Sequence, residues 1–201
     1  ATNGRGGAFT YALVAGSGSA TINASTGLIT GISIGTVTLT VTSAGDTNYN
    51  VATTSQLITI GKTTPVLTIT SANTLNVDGS LTATVTTTAT GGRGGAFTYA
   101  LTSGSGSATI NTSTGLITGI SIGTVTLTVT SAGDTNYNVA TVSQLITIGK
   151  TTPLLTITSA NTVNVNSSLT ATVSTTATAG RGGAFTYALT SGSGSATINT
   201  S

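Results

Sequence analysis

Three carboxylates (Asp46, Asp78 and Asp134) and five cations (Arg5, Lys62, Arg93, Lys150 and Arg181) are the only strongly ionisable side chains in this chain of 201 residues. Cys, His, Met, Trp and Glu are absent, which removes disulfides, thiol chemistry, the common metal-ligand sets and the usual proton-transfer pairs. Ser and Thr are abundant, but a hydroxyl nucleophile needs a base beside it and a third group to orient that base. Calcium would need several clustered oxygens including carboxylates, and each neighbourhood here offers a single Asp. The expectation is a protein that is not an enzyme and uses neither cofactor nor metal.

Several motifs still invite a chemical reading. Gly91-Gly-Arg-Gly-Gly has the composition of a phosphate-cradling or RNA-binding loop. It falls between two expected strands, however, with neither a helix start nor a following Lys-Ser/Thr, so a turn is the better reading. With five cations spread along the chain there is no basic patch, and no nucleic-acid partner is expected. Asn23, Asn111, Asn166 and Asn199 each open an Asn-x-Ser/Thr triplet, here read as turns, while the many Thr hydroxyls leave room for an O-linked glycan coat. Lys62 and Lys150 sit in the linker Gly-Lys-Thr-Thr-Pro, which argues against a buried Lys-Asn cross-link. Tyr137 is read as fixing a loop by a hydroxyl-to-backbone hydrogen bond rather than as a ligand platform.

The elements that carry these residues recur at a fixed interval. Gly-Arg-Gly-Gly-Ala-Phe-Thr-Tyr-Ala-Leu starts at Gly4, Gly92 and Gly180, a period of 88 residues. Residues 1–62 match 89–150 with five differences, and 63–113 match 151–201 with six, so no copy has specialised. A constant period of this kind marks an array of one folded unit. Three segments follow: a partial repeat at 1–62, a complete one at 63–150 and a partial one at 151–201. The expectation is a window on a longer polymer of such units, with partial ends that complete one another between molecules as the weaker alternative.

Within residues 63–150 the regular stretches alternate with period two, and none has the 3.6-residue period of a helix. Thr, 51 of 201 residues, joins Val and Ile in supplying β-branched side chains suited to a pleated, half-buried surface. Strands are expected at 66–70 with an extension at 75–77, then at 81–87, 97–101, 108–110, 116–118, 123–131 and 142–148. Val125, Leu127 and Val129 point inward along the clearest of them, between outward-facing threonines. About seven short strands separated by Gly, Ser, Asn and Asp predict an all-β unit, a two-layered sandwich of immunoglobulin-like type, with an up-and-down barrel as the weaker alternative. No apolar run approaches the ~20 residues that span a bilayer.

The stretch Ser107-Ala-Thr-Ile-Asn-Thr-Ser-Thr-Gly-Leu-Ile-Thr-Gly-Ile-Ser-Ile-Gly-Thr-Val-Thr-Leu-Thr-Val resembles the bacterial immunoglobulin-like repeats of invasin- and intimin-type adhesins, and Ala-Gly-Asp-Thr-Asn-Tyr-Asn is similar to a segment of secreted bacterial repeat proteins. The resemblance implies an extracellular, cell-surface stalk, filament or sheath. Charged residues at 4%, against the roughly 25% of an ordinary soluble domain, fit a protein whose partners are copies of itself, built into fibres. The competing reading is a multivalent array of weak carbohydrate or protein sites. In a sandwich of this type Arg93, Asp134 and Tyr137 gather at one end of the unit, close to Lys62 and Pro65, forming an interdomain junction.

Overall fold

The computed structural model describes residues 7–178, 181–190 and 192–199; Gly4, Arg5 and Gly180 fall outside them. The described residues form strands and turns with no helix, so none crosses a membrane as a long apolar helix. Every strand ladder joins residues of the same stretch of chain, either 9–60, 67–149 or 155–175.

The middle stretch is built around the alternating segment Gly123–Ser131 (β13). Its threonines fill one side while Val125, Leu127 and Val129 on the other are fully buried. Phe97–Ser103 (β10) and Ala140–Gly149 (β14) flank it antiparallel, placing Tyr99 and Val142 opposite Val129, and Leu101 and Gln144 opposite Leu127. Thr74–Asn76 (β7) adds a parallel edge strand to β14, completing the order β10-β13-β14-β7. A second sheet runs Ser107–Ile110 (β11), Leu116–Ser121 (β12) and Ser80–Thr82 (β8), in that order. Leu67–Ile69 (β6) pairs with Val85–Thr87 (β9). Leu75, Ala83, Ile117, Val125, Leu127, Val129, Ile146 and Ile148 form one buried cluster between the layers. The unit is thus a β-sandwich whose two inner faces meet along the aliphatic row of β13.

Two details depart from the period-two reading. The expected strand at 81–87 is two strands: β8 pairs with β12, then β9 pairs with β6. The handover lies at Ala83 and Thr84, where the Ala83 N–H donates to the Gly115 carbonyl at 2.9 Å and the Thr70 N–H to the Thr84 carbonyl at 2.8 Å. Inward alternation of Leu81, Ala83 and Val85 continues across the break, which is why the pattern hides it. Leu116 to Thr118, expected as a short strand, extends to Ser121.

The first stretch repeats the same registers. Phe9–Ala15 (β1), Gly35–Ser43 (β4) and Ala52–Ile60 (β5) form one sheet, and Ser19–Ile22 (β2) pairs with Ile29–Ser33 (β3). Phe9 stands opposite Ser43 as Phe97 stands opposite Ser131. In the third stretch Leu155–Ile157 (β15) pairs with Val173–Thr175 (β16), with Leu155 opposite Thr175 as Leu67 is opposite Thr87.

Truncating Leu127 to Ala leaves a void at the centre of the row and should lower stability by about 2–5 kcal/mol. Leu145→Ala on the exposed side of β14 should change it by less than about 0.5 kcal/mol. Urea unfolding of the two variants side by side measures both; equal losses would mean that β13 is not the central strand of the core.

Candidate functional site

Two loops at one end of the middle stretch carry Arg93 and Asp134, two of the three charged side chains of residues 67–149. The first, between β9 and β10, contains Gly91-Gly-Arg-Gly-Gly. Its four glycines have φ of 66°, 71°, 102° and 79°, backbone that L side chains rarely adopt, and this permits the tight turn closed by the Arg93 N–H on the Thr90 carbonyl at 3.3 Å. The second loop, between β13 and β14, is Gly133-Asp-Thr-Asn-Tyr-Asn. Asp134 Oδ1 accepts from the Asn136 and Tyr137 N–H groups at 2.7 and 2.9 Å, which curls the loop, while Oδ2 accepts from the Gly94 N–H at 2.8 Å, which ties it to the first loop. Asp46 curls the matching loop of the first stretch through Asn48 and Tyr49.

These bonds stabilise the ionised form of Asp134. The Gly94 N–H is the main cause of a pKa below the ordinary carboxylate range; desolvation opposes it, and Asn136, Tyr137 and the charge of Arg93 add to it. The Tyr137 hydroxyl accepts from the Thr90 N–H at 3.2 Å and lies 3.2 Å from Thr90 Oγ1. Its pKa is lowered, chiefly by the side-chain bond to Thr90. The hydroxyl therefore clamps one loop to the other.

The linker threads this loop pair. Thr63 N–H donates to the Asn136 carbonyl at 3.2 Å and Asn138 N–H to the Thr63 carbonyl at 2.9 Å, and the Asn138 side-chain amide donates to Thr64 Oγ1 at 3.0 Å. Pro65 follows, buried. Lys62 Nζ donates to the Asp134 carbonyl at 2.7 Å. From the far side, Arg93 Nη1 donates to the Ile32 carbonyl at 2.9 Å, and Asn136 Oδ1 accepts from the Ile34 N–H at 3.0 Å. Of the five residues that the sequence pointed to, Lys62 reaches Asp134, Asp134 and Tyr137 bond the loop that carries Arg93, and Arg93 reaches the Ile32 carbonyl. Pro65 makes none of these bonds.

The arrangement recurs one period later. Arg181 Nη1 donates to the Ile120 carbonyl at 2.7 Å, and Arg181 and Ile120 stand 88 residues after Arg93 and Ile32. Here a further partner enters: Asp78 accepts from Arg181 at 3.3 Å and from Thr178 Oγ1 at 2.9 Å, and Thr151 Oγ1 bonds the Val77 carbonyl. Asp78 occupies a turn closed by the Gly79 N–H on the Asn76 carbonyl, with φ of 63°; its counterpart Asn166 has φ of 62°. Asp and Asn are the non-glycine residues that best tolerate this region, which accounts for the exchange between copies. The sequence marks a turn at Asp78 but carries no signal that this turn lies against the next unit's arginine.

Among the described residues, no three His, Cys, Asp or Glu side chains come together as a metal site. What the loops do is bond residues 32–34 and 62–64 to residues 93 and 134–138. No protein-family model matches the chain, and no curated protein matches it.

Because the folded Asp134 has a lowered pKa, its contribution is complete above the unfolded value of about 3.9 and is lost as pH falls through the folded value. An NMR titration should show the Asp134 carboxyl and the Gly94 amide moving together with a midpoint below that of an unfolded Asp. Asp134→Asn should abolish that acid-range movement of the Gly94 amide; its persistence would sever the amide from this carboxylate.

Proposed function

We propose that the chain is a structural repeat region, in which tandem immunoglobulin-like sandwiches form a semi-rigid spacer of an extracellular filament, sheath or adhesin stalk. The observation that carries this reading is the arginine contact at both boundaries, from Arg93 to the Ile32 carbonyl and from Arg181 to the Ile120 carbonyl. A repeated bond across each boundary defines a repeated angle between units, and a constant angle turns a string of domains into a rod.

The strand orders support the immunoglobulin-like type. The opening strand is divided, with β6 joined to β9 while β7 runs parallel to β14, and the remaining strands separate into β10-β13-β14 and β11-β12-β8. Placement outside the cell draws on the 4% charge content, too low to keep free monomers apart, and on the resemblance to surface repeats. The unit boundaries proposed are those of the sequence period, near 62/63 and 150/151.

Replacing both Arg93 and Arg181 with Ala should broaden the distribution of interdomain angles in electron micrographs and shorten the maximum dimension in small-angle scattering, with unchanged circular dichroism. Equal straightness in variant and parent would remove the arginines from this role.

A further inference from the structure

The turn at residues 77–79, between β7 and β8, is tied into both layers of the middle unit. The Val77 N–H donates to the Gly149 carbonyl at 2.9 Å, the Asp78 N–H to the Gly119 carbonyl at 3.0 Å, and the Gly119 N–H to the Gly79 carbonyl at 3.1 Å. The turn is thus a fixed part of residues 67–149. Three side chains from beyond Lys150 land on it or beside it. Thr151 Oγ1 bonds the Val77 carbonyl, and Thr178 Oγ1 donates to Asp78 Oδ2 at 2.9 Å. Arg181 Nη1 reaches both Asp78 Oδ1 at 3.3 Å and the Ile120 carbonyl at 2.7 Å.

Of these acceptors only the Asp78 carboxylate is charged. The carbonyls of Val77 and Ile120 are main chain, whereas the carboxylate belongs to a side chain that the repeat exchanges for an amide at Asn166, with φ of 63° and 62° at the two positions. The Arg181 and Asp78 side chains are 41% and 37% exposed, so dissolved ions reach the pair.

We infer that Asp78 makes this boundary a joint whose stiffness follows ionic strength. The inference rests on the proposed spacer role and adds to it the group that regulates one joint. An exposed ion pair biases an equilibrium by about two- to fivefold, enough to favour one orientation of tethered segments and too little to lock it. The Debye length is about 30 Å at about 0.01 M salt and about 3 Å at about 1 M, so the attraction acts in dilute salt and fades in concentrated salt. With Asn in place of Asp78, Thr178 keeps an acceptor but Arg181 faces no charge. The joint then relies on neutral acceptors and loses its response to salt.

The chain has no cysteine, so two introduced ones carry spin labels at unique places. Thr102→Cys on β10 and Ser174→Cys on β16 are both exposed positions on either side of the joint. Electron–electron double resonance on this labelled chain, with and without Asp78→Asn, gives the distribution of distances between them. At about 0.01 M NaCl the chain with Asp78 should give one narrow peak, and Asp78→Asn should raise the fraction outside that peak by about two- to fivefold. At about 1 M NaCl the two distributions should coincide, with the variant unchanged from dilute salt. A narrow peak that neither salt nor Asp78→Asn disturbs would overturn the role of Asp78 and spare the spacer reading. A broad distribution at every salt concentration, with Asp78 present, would overturn both. The salt series on the chain with Asp78 is decisive without the variant: a distribution that does not broaden between the two concentrations overturns the inference.

Discussion

Sealing the aliphatic row of β13 from both layers is the constraint on which the molecule depends. Val125, Leu127 and Val129 are all fully buried, with β10 and β14 flanking them and β11, β12 and β8 in the opposite layer, whereas in the first stretch Val37 is fully buried but Leu39 and Val41 only half-buried. Val41, the counterpart of Val129, lines an open groove, although its own sheet has the same register. A lateral ladder satisfies the backbone, but removal of apolar area from water requires the second layer as well.

The boundary contacts work on a smaller energy scale. A hydrogen bond contributes about 0.5–1.5 kcal/mol, rising to about 1.5–3 with a charged donor, and an exposed ion pair such as Arg181–Asp78 adds little. Such bonds would not hold two free domains together. Under the proposed spacer role the linker tethers the units, so contacts act at high effective concentration and need only select an orientation. The few charges, placed at the ends of the unit, suit that selection. Lys62, Arg93 and Arg181 donate to main-chain carbonyls, which every copy presents whatever its side chains.

Much of this organisation was legible in advance for identifiable reasons. Alternation along 123–131 located the central strand because its two faces meet different media. Glycines around Arg93 announced a turn, and their positive φ values explain why that composition is needed. Loop order within a sandwich brings the loops of Arg93, Asp134 and Tyr137 together, with Lys62 against Asp134. Asp78 was missed because its partner, Arg181, is 103 residues away and belongs to another copy. The division of 81–87 into two strands was missed because changing partners leaves inward alternation intact.

By itself, the sequence determined the period, the all-β character, the inward residues and the positions of turns, since these follow from side-chain chemistry and local backbone preference. Which stretches pair was decided by tertiary structure alone. Leu81 to Thr87 reads as one alternating run, yet β8 pairs with β12 and β9 with β6. Leu81, Ala83 and Val85 face the same core on both sides of the break, so burial is indifferent to the change of partner. Only the neighbouring backbones, brought there by the packing of the two layers, select which ladder each half joins.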